Sequence, residues 1–248
     1  MASSESPVTI PVLQQMKRDG KKIVGVVAWD YQIAQIAERA GVDFISVGDS
    51  VGANLWGQPT ETEVTMDEIL VVCKAVRRGA KRALVSCDIP YGPAQGGTRA
   101  AVSAAIRLAQ EGGAEMVKVL AVPETVRAIV RAGVPVFAEF HGGKEIPVGK
   151  LVEQAKRLEE AGAALLDFRH SGPEAGAAVV KSVSIPVIGG LGGGPWLDGR
   201  VRLAHTAIGY GAKWIDSKTE TYTNTARLSL QAFSSLIADV RAGRKIKG

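Results

Sequence analysis

Seven short and nearly continuous apolar runs recur along the chain, and this pattern constrains the fold more than any other feature. They span residues 23–29, 44–49, 83–89, 116–121, 134–140, 164–170 and 185–192. Runs of this length that are rich in Val, Ile and Phe are typical of strands buried on both faces of a parallel sheet. The sequence therefore predicts a parallel sheet whose strands lie inside the protein.

Amphipathic stretches separate the apolar runs. Residues 31–41, 98–113 and 149–162 place apolar and small residues on one helical face, and each stretch closes with glycine, as many helices do. Strands and helices that alternate at a spacing of about 30 residues indicate βα units. With an eighth strand within residues 200–216, these units predict a (βα)8 TIM barrel.

A doubly wound open sheet is the alternative architecture. Its nucleotide-binding form is disfavoured because no G-x-G-x-x-G motif follows the first predicted strand. No linker or low-complexity segment interrupts the chain. We therefore expect a single barrel domain over residues 1–248, with a helix at each terminus.

The bulk properties of the 248 residues narrow the class of protein. Because the sequence has neither a long apolar run nor a signal-peptide pattern, we expect a cytoplasmic protein. The net charge of +5 is spread along the chain without a nucleic-acid-binding motif, so we expect neither nucleic acid nor membrane as a partner. Cys73 and Cys87 are expected to be buried thiols, with a disulfide as the alternative.

Polar residues gather where the predicted strands end. In chain order they are Asp30, Tyr31, Asp49, Ser50, Asp88, Lys118, Glu139, His141, Asp167, Arg169 and His170. The C-terminal ends of barrel strands meet at one mouth, where barrel enzymes carry out their chemistry. These side chains are therefore candidates for one active site, and each histidine alone is more often structural than catalytic.

Asp49 and Asp88 are the first pair to suggest a metal site. Buried carboxylates are costly unless a cation pairs with them, and oxygen ligands without thiols suit Mg2+. The alternative is that each acid only caps the following helix. Lys118 would hold a substrate oxygen if it points into the barrel, or lie along the helix layer if it points outward. The glycines of residues 189–194 would form an anion-binding nest or a sharp turn.

Longer segments of the chain resemble a known family, the ketopantoate (3-methyl-2-oxobutanoate) hydroxymethyltransferases. This family lies within the phosphoenolpyruvate mutase and isocitrate lyase superfamily of barrels. The similar segments are residues 28–57, 64–92, 113–119, 132–140, 184–201 and 232–244. The most specific motifs are "VGDS" and "KAVRRGA", the latter followed by "DIP".

The resemblance implies a (βα)8 barrel that is a homo-oligomer, often a decamer, and that needs Mg2+, with Mn2+ or Co2+ as alternatives. Such a protein transfers a hydroxymethyl group from methylenetetrahydrofolate to a branched 2-oxo acid. Asp49 and Asp88 match the metal-site acids of the family, Ser50 matches the residue that holds the substrate carboxylate, and Lys118 matches the lysine beside the substrate. A metal bound there would stabilise an enolate formed at C3 of the substrate.

Three departures from the family pattern concern the chemistry. Leu120 replaces a glutamate on the fourth strand, and Glu139 replaces a histidine on the fifth. Arg169 stands where the family has its general base, a glutamate, and an arginine cannot accept the proton. Arg169 would instead bind a second carboxylate or a phosphonate of the substrate.

The same departures leave open which group is the base. Glu139 would act as a third metal ligand, and the base would be Asp167, His170, Glu139 or a metal-bound water. Asp167 and Arg169 share one face of the sixth strand, so Asp167 would alternatively hold Arg169 in place.

These residues lead to one main hypothesis and two alternatives. The first is a Mg2+-dependent aldolase or lyase that acts on a 2-oxo acid through a metal-stabilised enolate. The second is an authentic hydroxymethyltransferase that uses methylenetetrahydrofolate with a displaced base. The third is a catalytically inactive barrel that serves as a binding or assembly protein, which the retained charges at the strand ends disfavour.

Overall fold

Eight parallel strands form a closed barrel in the order of the chain, and the neighbouring pairs from β1–β2 to β7–β8 are parallel. The structure is a computed structural model that describes residues 6–143 and 145–248. The strands are β1 Ile23–Val27, β2 Phe44–Val47, β3 Leu84–Asp88, β4 Met116–Leu120, β5 Val136–His141, β6 Leu165–Arg169, β7 Val187–Gly189 and β8 Gly199–Leu203. The predicted barrel is confirmed, and closure excludes the open-sheet alternative.

Helices follow most of the strands, as the alternating pattern predicts. They are α1 Ile10–Arg18, α2 Tyr31–Ala40, α3 Met66–Gly79, α4 Tyr91–Gln95, α5 Gly97–Gln110, α6 Pro123–Arg131, α7 Val148–Glu160, α8 Pro173–Ser182, α9 Ala204–Ala207 and α10 Thr225–Arg241. Local sequence explains several ends. A capping box of Thr65 and Glu68 begins α3, and Gly41, with φ of 86°, ends α2 in the left-handed conformation.

A layer of apolar side chains fills the N-terminal half of the barrel. Each strand contributes one residue to it: Ile23, Phe44, Leu84, Met116, Phe137, Leu165, Ile188 and Val201. Val8 and the fully buried Leu13 of α1 join the same cluster. The rings of Phe44 and Phe137 meet edge to face with centroids 6.0 Å apart. This packed layer supports the polar residues that lie further along the same strands.

Chain contacts divide the molecule into two compact units, Met1–Arg202 and Leu203–Gly248. The first unit holds the barrel residues up to Arg202. In the second, the Asn224 side chain caps α10 by accepting from the Arg227 N–H, and its amide donates to the Trp214 carbonyl at 2.8 Å. The single domain over residues 1–248 stays a prediction.

Two further expectations concern the cysteines and the membrane. Cys73 and Cys87 are both buried free thiols, which confirms the thiol prediction over the disulfide. Cys73 donates to the Gly112 carbonyl at 3.5 Å, and burial raises the pKa of Cys87. Within residues 6–143 and 145–248, every helix is too short or too polar to cross a membrane.

Gly25 offers a test of how tightly the apolar layer is packed. A Cβ added to Gly25 would lie 2.2 Å from the Phe44 ring, so we expect Gly25→Ala to cost about 1–3 kcal/mol of unfolding free energy through overpacking. Urea denaturation measures this cost. Gly149→Ala is the matched control, because a Cβ at Gly149 meets nothing within 4 Å. Equal stability of the two variants would contradict the packing described here.

Candidate active site

The alternation of side chains along the strands builds the site above the apolar layer. Lys118, Glu139 and Asp167 each lie two residues beyond a residue of that layer, so they point to the same inner face. The parallel register then brings neighbouring strands together, with Asp88 opposite Lys118 and Glu139 opposite Asp167. The predicted convergence of polar strand ends therefore follows from strand period and register.

Lys118 is the central cation of the site. Its Nζ lies 2.6 Å from Glu139 Oε2, 3.2 Å from Asp167 Oδ2 and 3.7 Å from Asp88 Oδ2. The side chain therefore points into the barrel and not along the helix layer. Burial favours the neutral amine, but the three carboxylates outweigh it and raise the pKa of Lys118 above its usual value. Lys118 thus remains protonated, and its ion pairs connect β4 with β3, β5 and β6.

Glu139 is surrounded by donors on both of its carboxylate oxygens. Oε2 accepts from Lys118, and Oε1 accepts from Arg169 Nη1 at 2.8 Å and lies 3.0 Å from His141 Nε2. Although burial opposes ionisation, the charges of Lys118 and Arg169 lower the pKa of Glu139 to about 2. This arrangement does not favour the predicted role of Glu139 as a third metal ligand, because both oxygens are committed to other partners.

Asp49 and Asp88 are in the opposite electrostatic situation. Burial, with the charge of Glu61 added, raises the pKa of Asp49 to about 6. Burial also raises the pKa of Asp88 to about 7. The charge of Lys118 lowers this pKa, but burial and the nearby charge of Asp49 together outweigh it. The ionised forms of both acids therefore lack sufficient positive charge around them.

The residues present fit a divalent cation at this pair. Asp88 Oδ1 is buried, and the described part of the chain offers it no hydrogen-bond partner. No group of three or more His, Cys, Asp or Glu residues within the described ranges could hold a metal ion. Mg2+ commonly binds through one or two carboxylates and completes its shell with water and substrate oxygens. Asp49 and Asp88 match that mode.

Gly48 leaves a space beside these acids. A Cβ added to Gly48 would lie 2.7 Å from Ser50 Oγ, 3.1 Å from Val27 Cγ1 and 3.6 Å from Asp88 Oδ2. The glycine therefore opens a small cradle between a hydroxyl and a carboxylate, where a ligand can approach the backbone. In the segment "GDS" after β2, the glycine therefore leaves room for a ligand beside the hydroxyl of Ser50.

The site contains more buried carboxylates than buried cations. Asp49, Asp88, Glu139 and Asp167 supply four carboxylates, whereas Lys118 and Arg169 supply two cations. With all six groups ionised, the formal charge is −2 for this set. One divalent cation balances it, and the alternative is protonation of Asp49 and Asp88.

The remaining predicted residues fall into different roles. Asp30 caps α2 by accepting from the Ile33 N–H. Asp167 is 1% exposed and accepts from the Gly190 N–H at 3.2 Å, which ties the glycine-rich segment to β6. The backbone of His170 has φ of 51°, and its N–H donates to the Leu191 carbonyl.

His141 is one of the predicted strand-end residues, and the structure places it at the edge of the charged cluster. Its ring contacts Glu139 and lies 6.2 Å, centroid to centroid, from the ring of His170. The spacing Glu-x-His in a predicted strand is consistent with this contact, because residues two apart share a face. The sequence reasoning missed two buried serines on β2 and β3: Ser86 Oγ donates a hydrogen bond to Ser46 Oγ at 3.0 Å.

Solved structures identify the class of barrel. Phosphonopyruvate hydrolase in complex with oxalate and Mg++ matches with a TM-score of 0.61 and 17% identity, covering 95% of this chain and 88% of that one. 2,3-Dimethylmalate lyase, a member of the PEP mutase/isocitrate lyase superfamily, matches with a TM-score of 0.64 and 12% identity, covering 94% and 87%. This chain therefore shares the barrel fold of these two proteins.

Sequence comparison then gives the family. Residues 7–244 match the family model described as ketopantoate hydroxymethyltransferase, and the chain belongs to that family. The 3-methyl-2-oxobutanoate hydroxymethyltransferase of Cyanothece sp. is 37% identical over 254 residues, covering 94% of this chain and 96% of that protein. That of Geobacillus kaustophilus is 35% identical, covering 91% and 87%. The predicted family and enzyme character are confirmed.

The raised pKa values of Asp49 and Asp88 predict how stability depends on pH without a divalent cation. Between about pH 4 and pH 7 the folded protein holds protons that the unfolded chain has lost, so the free energy of unfolding falls as pH rises. We expect a loss of several kcal/mol, measured by urea denaturation in a chelating buffer.

The double variant Asp49→Asn/Asp88→Asn isolates this effect. It lacks the two carboxylates, so its stability should vary less over the same pH interval. Glu139 contributes in the opposite direction and at lower pH, because its pKa is lowered. A pH dependence that is the same in both proteins would show that the two aspartates are not responsible.

Proposed function

We propose that this protein is a Mg2+-dependent enzyme that forms or cleaves a carbon–carbon bond in a 2-oxo acid. One observation carries the proposal: Asp88 lies beside the cradle at Gly48, which directly precedes Asp49 in the chain, and burial raises the pKa of both aspartates because too little positive charge surrounds them. Family membership supports the same conclusion, because the relatives are named as hydroxymethyltransferases of 3-methyl-2-oxobutanoate, a 2-oxo acid.

Asp49 and Asp88 are the residues that would hold the cation, with Mn2+ or Co2+ as substitutes for Mg2+. The bound cation supplies a Lewis acid that draws electrons from the 2-oxo group. We assign no metal contact to Glu139, whose oxygens are engaged by Lys118, Arg169 and His141.

Ser50 and Lys118 would position the substrate. The Ser50 hydroxyl lies at the edge of the Gly48 cradle, where it can donate to the substrate carboxylate. Lys118 places a permanent positive charge next to Asp88, where negative charge on a substrate oxygen would be stabilised. The structure of phosphonopyruvate hydrolase with oxalate and Mg++, on the same fold, supports a cation and a small dianion in this kind of barrel.

Arg169 favours a substrate with a second acidic group. Its Nη1 donates to Glu139, but its Nε is buried and finds no acceptor within the described ranges. A carboxylate or phosphonate oxygen would satisfy this donor in a charge-assisted hydrogen bond. A substrate of that kind distinguishes an aldolase or lyase from the hydroxymethyltransferase reaction.

An authentic hydroxymethyltransferase that uses methylenetetrahydrofolate remains the second candidate. The identity of 37% to a curated relative over nearly the whole of both chains favours it. It requires a base other than Arg169, which replaces the glutamate. An inactive barrel is disfavoured because Lys118, Glu139, Asp88 and Asp167 keep buried charges that a binding protein does not need. The cytoplasmic location and the homo-oligomer stay predictions.

Exchange of substrate hydrogen with solvent tests the proposed chemistry. With Mg2+ present, we expect deuterium from D2O to enter C3 of at least one acid from a panel of 2-oxo acids, followed by proton NMR. Asp88→Asn should slow the exchange at least about 100-fold because it removes a metal carboxylate. Asp67→Asn, which changes an exposed carboxylate on α3, is the control. Absence of exchange with every acid of the panel would rule out the proposal.

Arg169→Gln tests the substrate class. If Arg169 binds a second anionic group, the variant should lose about 10- to 100-fold in kcat/KM for 2-oxo acids with two acidic groups. Its kcat/KM for acids with one carboxylate should change much less. Growth of a pantothenate auxotroph that expresses the wild-type chain would favour the hydroxymethyltransferase instead. An equal loss for both substrate classes would argue against Arg169 as a specificity residue.

A further inference from the structure

A 2-oxo acid enzyme of the proposed kind needs a group that removes the proton at C3, and Arg169 occupies the place of the family's base. We propose that His141, through its Nδ1 atom, is the group that takes this proton, and that Glu139 fixes the ring for this task. The inference rests on the proposed function and extends it to the group that takes the proton.

The other candidates at the mouth are poorly suited to accept a proton. Lys118 and Arg169 remain cations, because neighbouring carboxylates raise the pKa of both against the effect of burial. Glu139 is ionised, but Lys118 and Arg169 stabilise that form and make it a weak base. Asp167 is 1% exposed and bound to Lys118 and the Gly190 N–H, so a substrate carbon has little access to it.

His141 has the access that these groups lack. It is the last residue of β5, it shares the inner face with Glu139, and it stands opposite Arg169 in the register. Its side chain is 48% exposed, whereas that of Glu139 is 11% exposed. The imidazole therefore lies at the outer edge of the charged cluster, where a ligand that enters the barrel mouth would meet it.

The contact with Glu139 determines which nitrogen can act. Because the Glu139 carboxylate is ionised, it accepts a hydrogen bond, and His141 Nε2 at 3.0 Å must carry the hydrogen. In the neutral ring this leaves the lone pair on Nδ1. A carboxylate that orients a histidine in this way is a recurring device for a general base.

Other charged or titratable groups also face the ring. Glu139 approaches from β5, Arg169 is the last residue of β6, and His170 directly follows it, with the two histidine ring centroids 6.2 Å apart. Lys118 on β4 forms an ion pair with Glu139, which in turn contacts the ring. His170 holds a left-handed backbone and rests against Gly192, where an added Cβ would lie 2.8 Å from His170 Nδ1. His170 is therefore the competing base that the experiment must separate from His141.

The proton transfer balances without another reactant. The C3–H bond breaks, its proton forms a bond to His141 Nδ1, and its electron pair remains with the substrate as the enolate. The resulting imidazolium is adjacent to the Glu139 carboxylate, which stabilises the positive charge. Return of the proton, or of deuterium from the solvent, to C3 regenerates the neutral ring.

Chemical rescue tests the assignment with the 2-oxo acid that the wild-type protein exchanges fastest. His141→Gln keeps a donor toward Glu139 but has no basic nitrogen, and we expect the C3 exchange rate to fall about 100-fold or more. Mg2+ affinity, measured by calorimetry, should stay within about threefold, because His141 contacts neither aspartate assigned to the metal. Because the side chain is half exposed, added imidazole should restore part of the exchange in His141→Ala.

The outcomes separate the two proposals. Exchange by the wild-type protein together with a rate within about threefold in His141→Gln would overturn the role of His141 and leave the proposed function standing. Loss in His170→Gln together with an active His141→Gln would assign the proton to His170 instead. No exchange by the wild-type protein would contradict the proposed function, and this inference with it. Recovery of His141→Ala with imidazole, and not with a non-basic analogue, would support His141.

Discussion

The ion pairs of Lys118 hold the site together, and the arrangement of every other charged group depends on them. One ammonium group meets carboxylates from β3, β5 and β6, so four neighbouring strands share a single buried charge. Removing one partner from such a cluster would leave uncompensated charge in a poorly solvated place. The same ammonium fixes Glu139 as an anion, which in turn orients Arg169 and His141. The geometry of the mouth therefore depends on Lys118.

The cluster also separates two kinds of carboxylate. Glu139 is satisfied by cations and donors, whereas Asp49 and Asp88 are buried with too little compensation. A cation that enters the barrel therefore gains most at the two aspartates. The apolar layer below, with Phe44 and Phe137 at its centre, gives these charges a rigid support.

Strand period and the order of apolar runs were sufficient to predict the barrel and the convergence of the strand-end acids Asp88, Glu139 and Asp167, because both depend on local repetition. They left open whether Lys118 points into the barrel or toward the helix layer. The eighth strand, at Gly199–Leu203, began one residue before the predicted segment. The sequence could not show that Lys118 pairs with one carboxylate oxygen of Glu139, because this ion pair depends on the register between neighbouring strands. For the same reason it named His141 as a strand-end candidate without showing that its ring contacts Glu139. The end of α2 at Gly41 was visible because a local backbone preference sets it.

The central claim is that Asp49 and Asp88 bind one divalent cation beside a 2-oxo acid. A crystal structure with Mg2+ and oxalate, which resembles the enolate of a small 2-oxo acid, tests it most directly. We predict Mg2+ bonded to oxygens of Asp49, Asp88 or both at about 2.1 Å, with oxalate on the cation and near Ser50 and Lys118. Oxalate bound by Lys118 and Arg169 without a cation, or a cation bound away from both aspartates, would contradict the account.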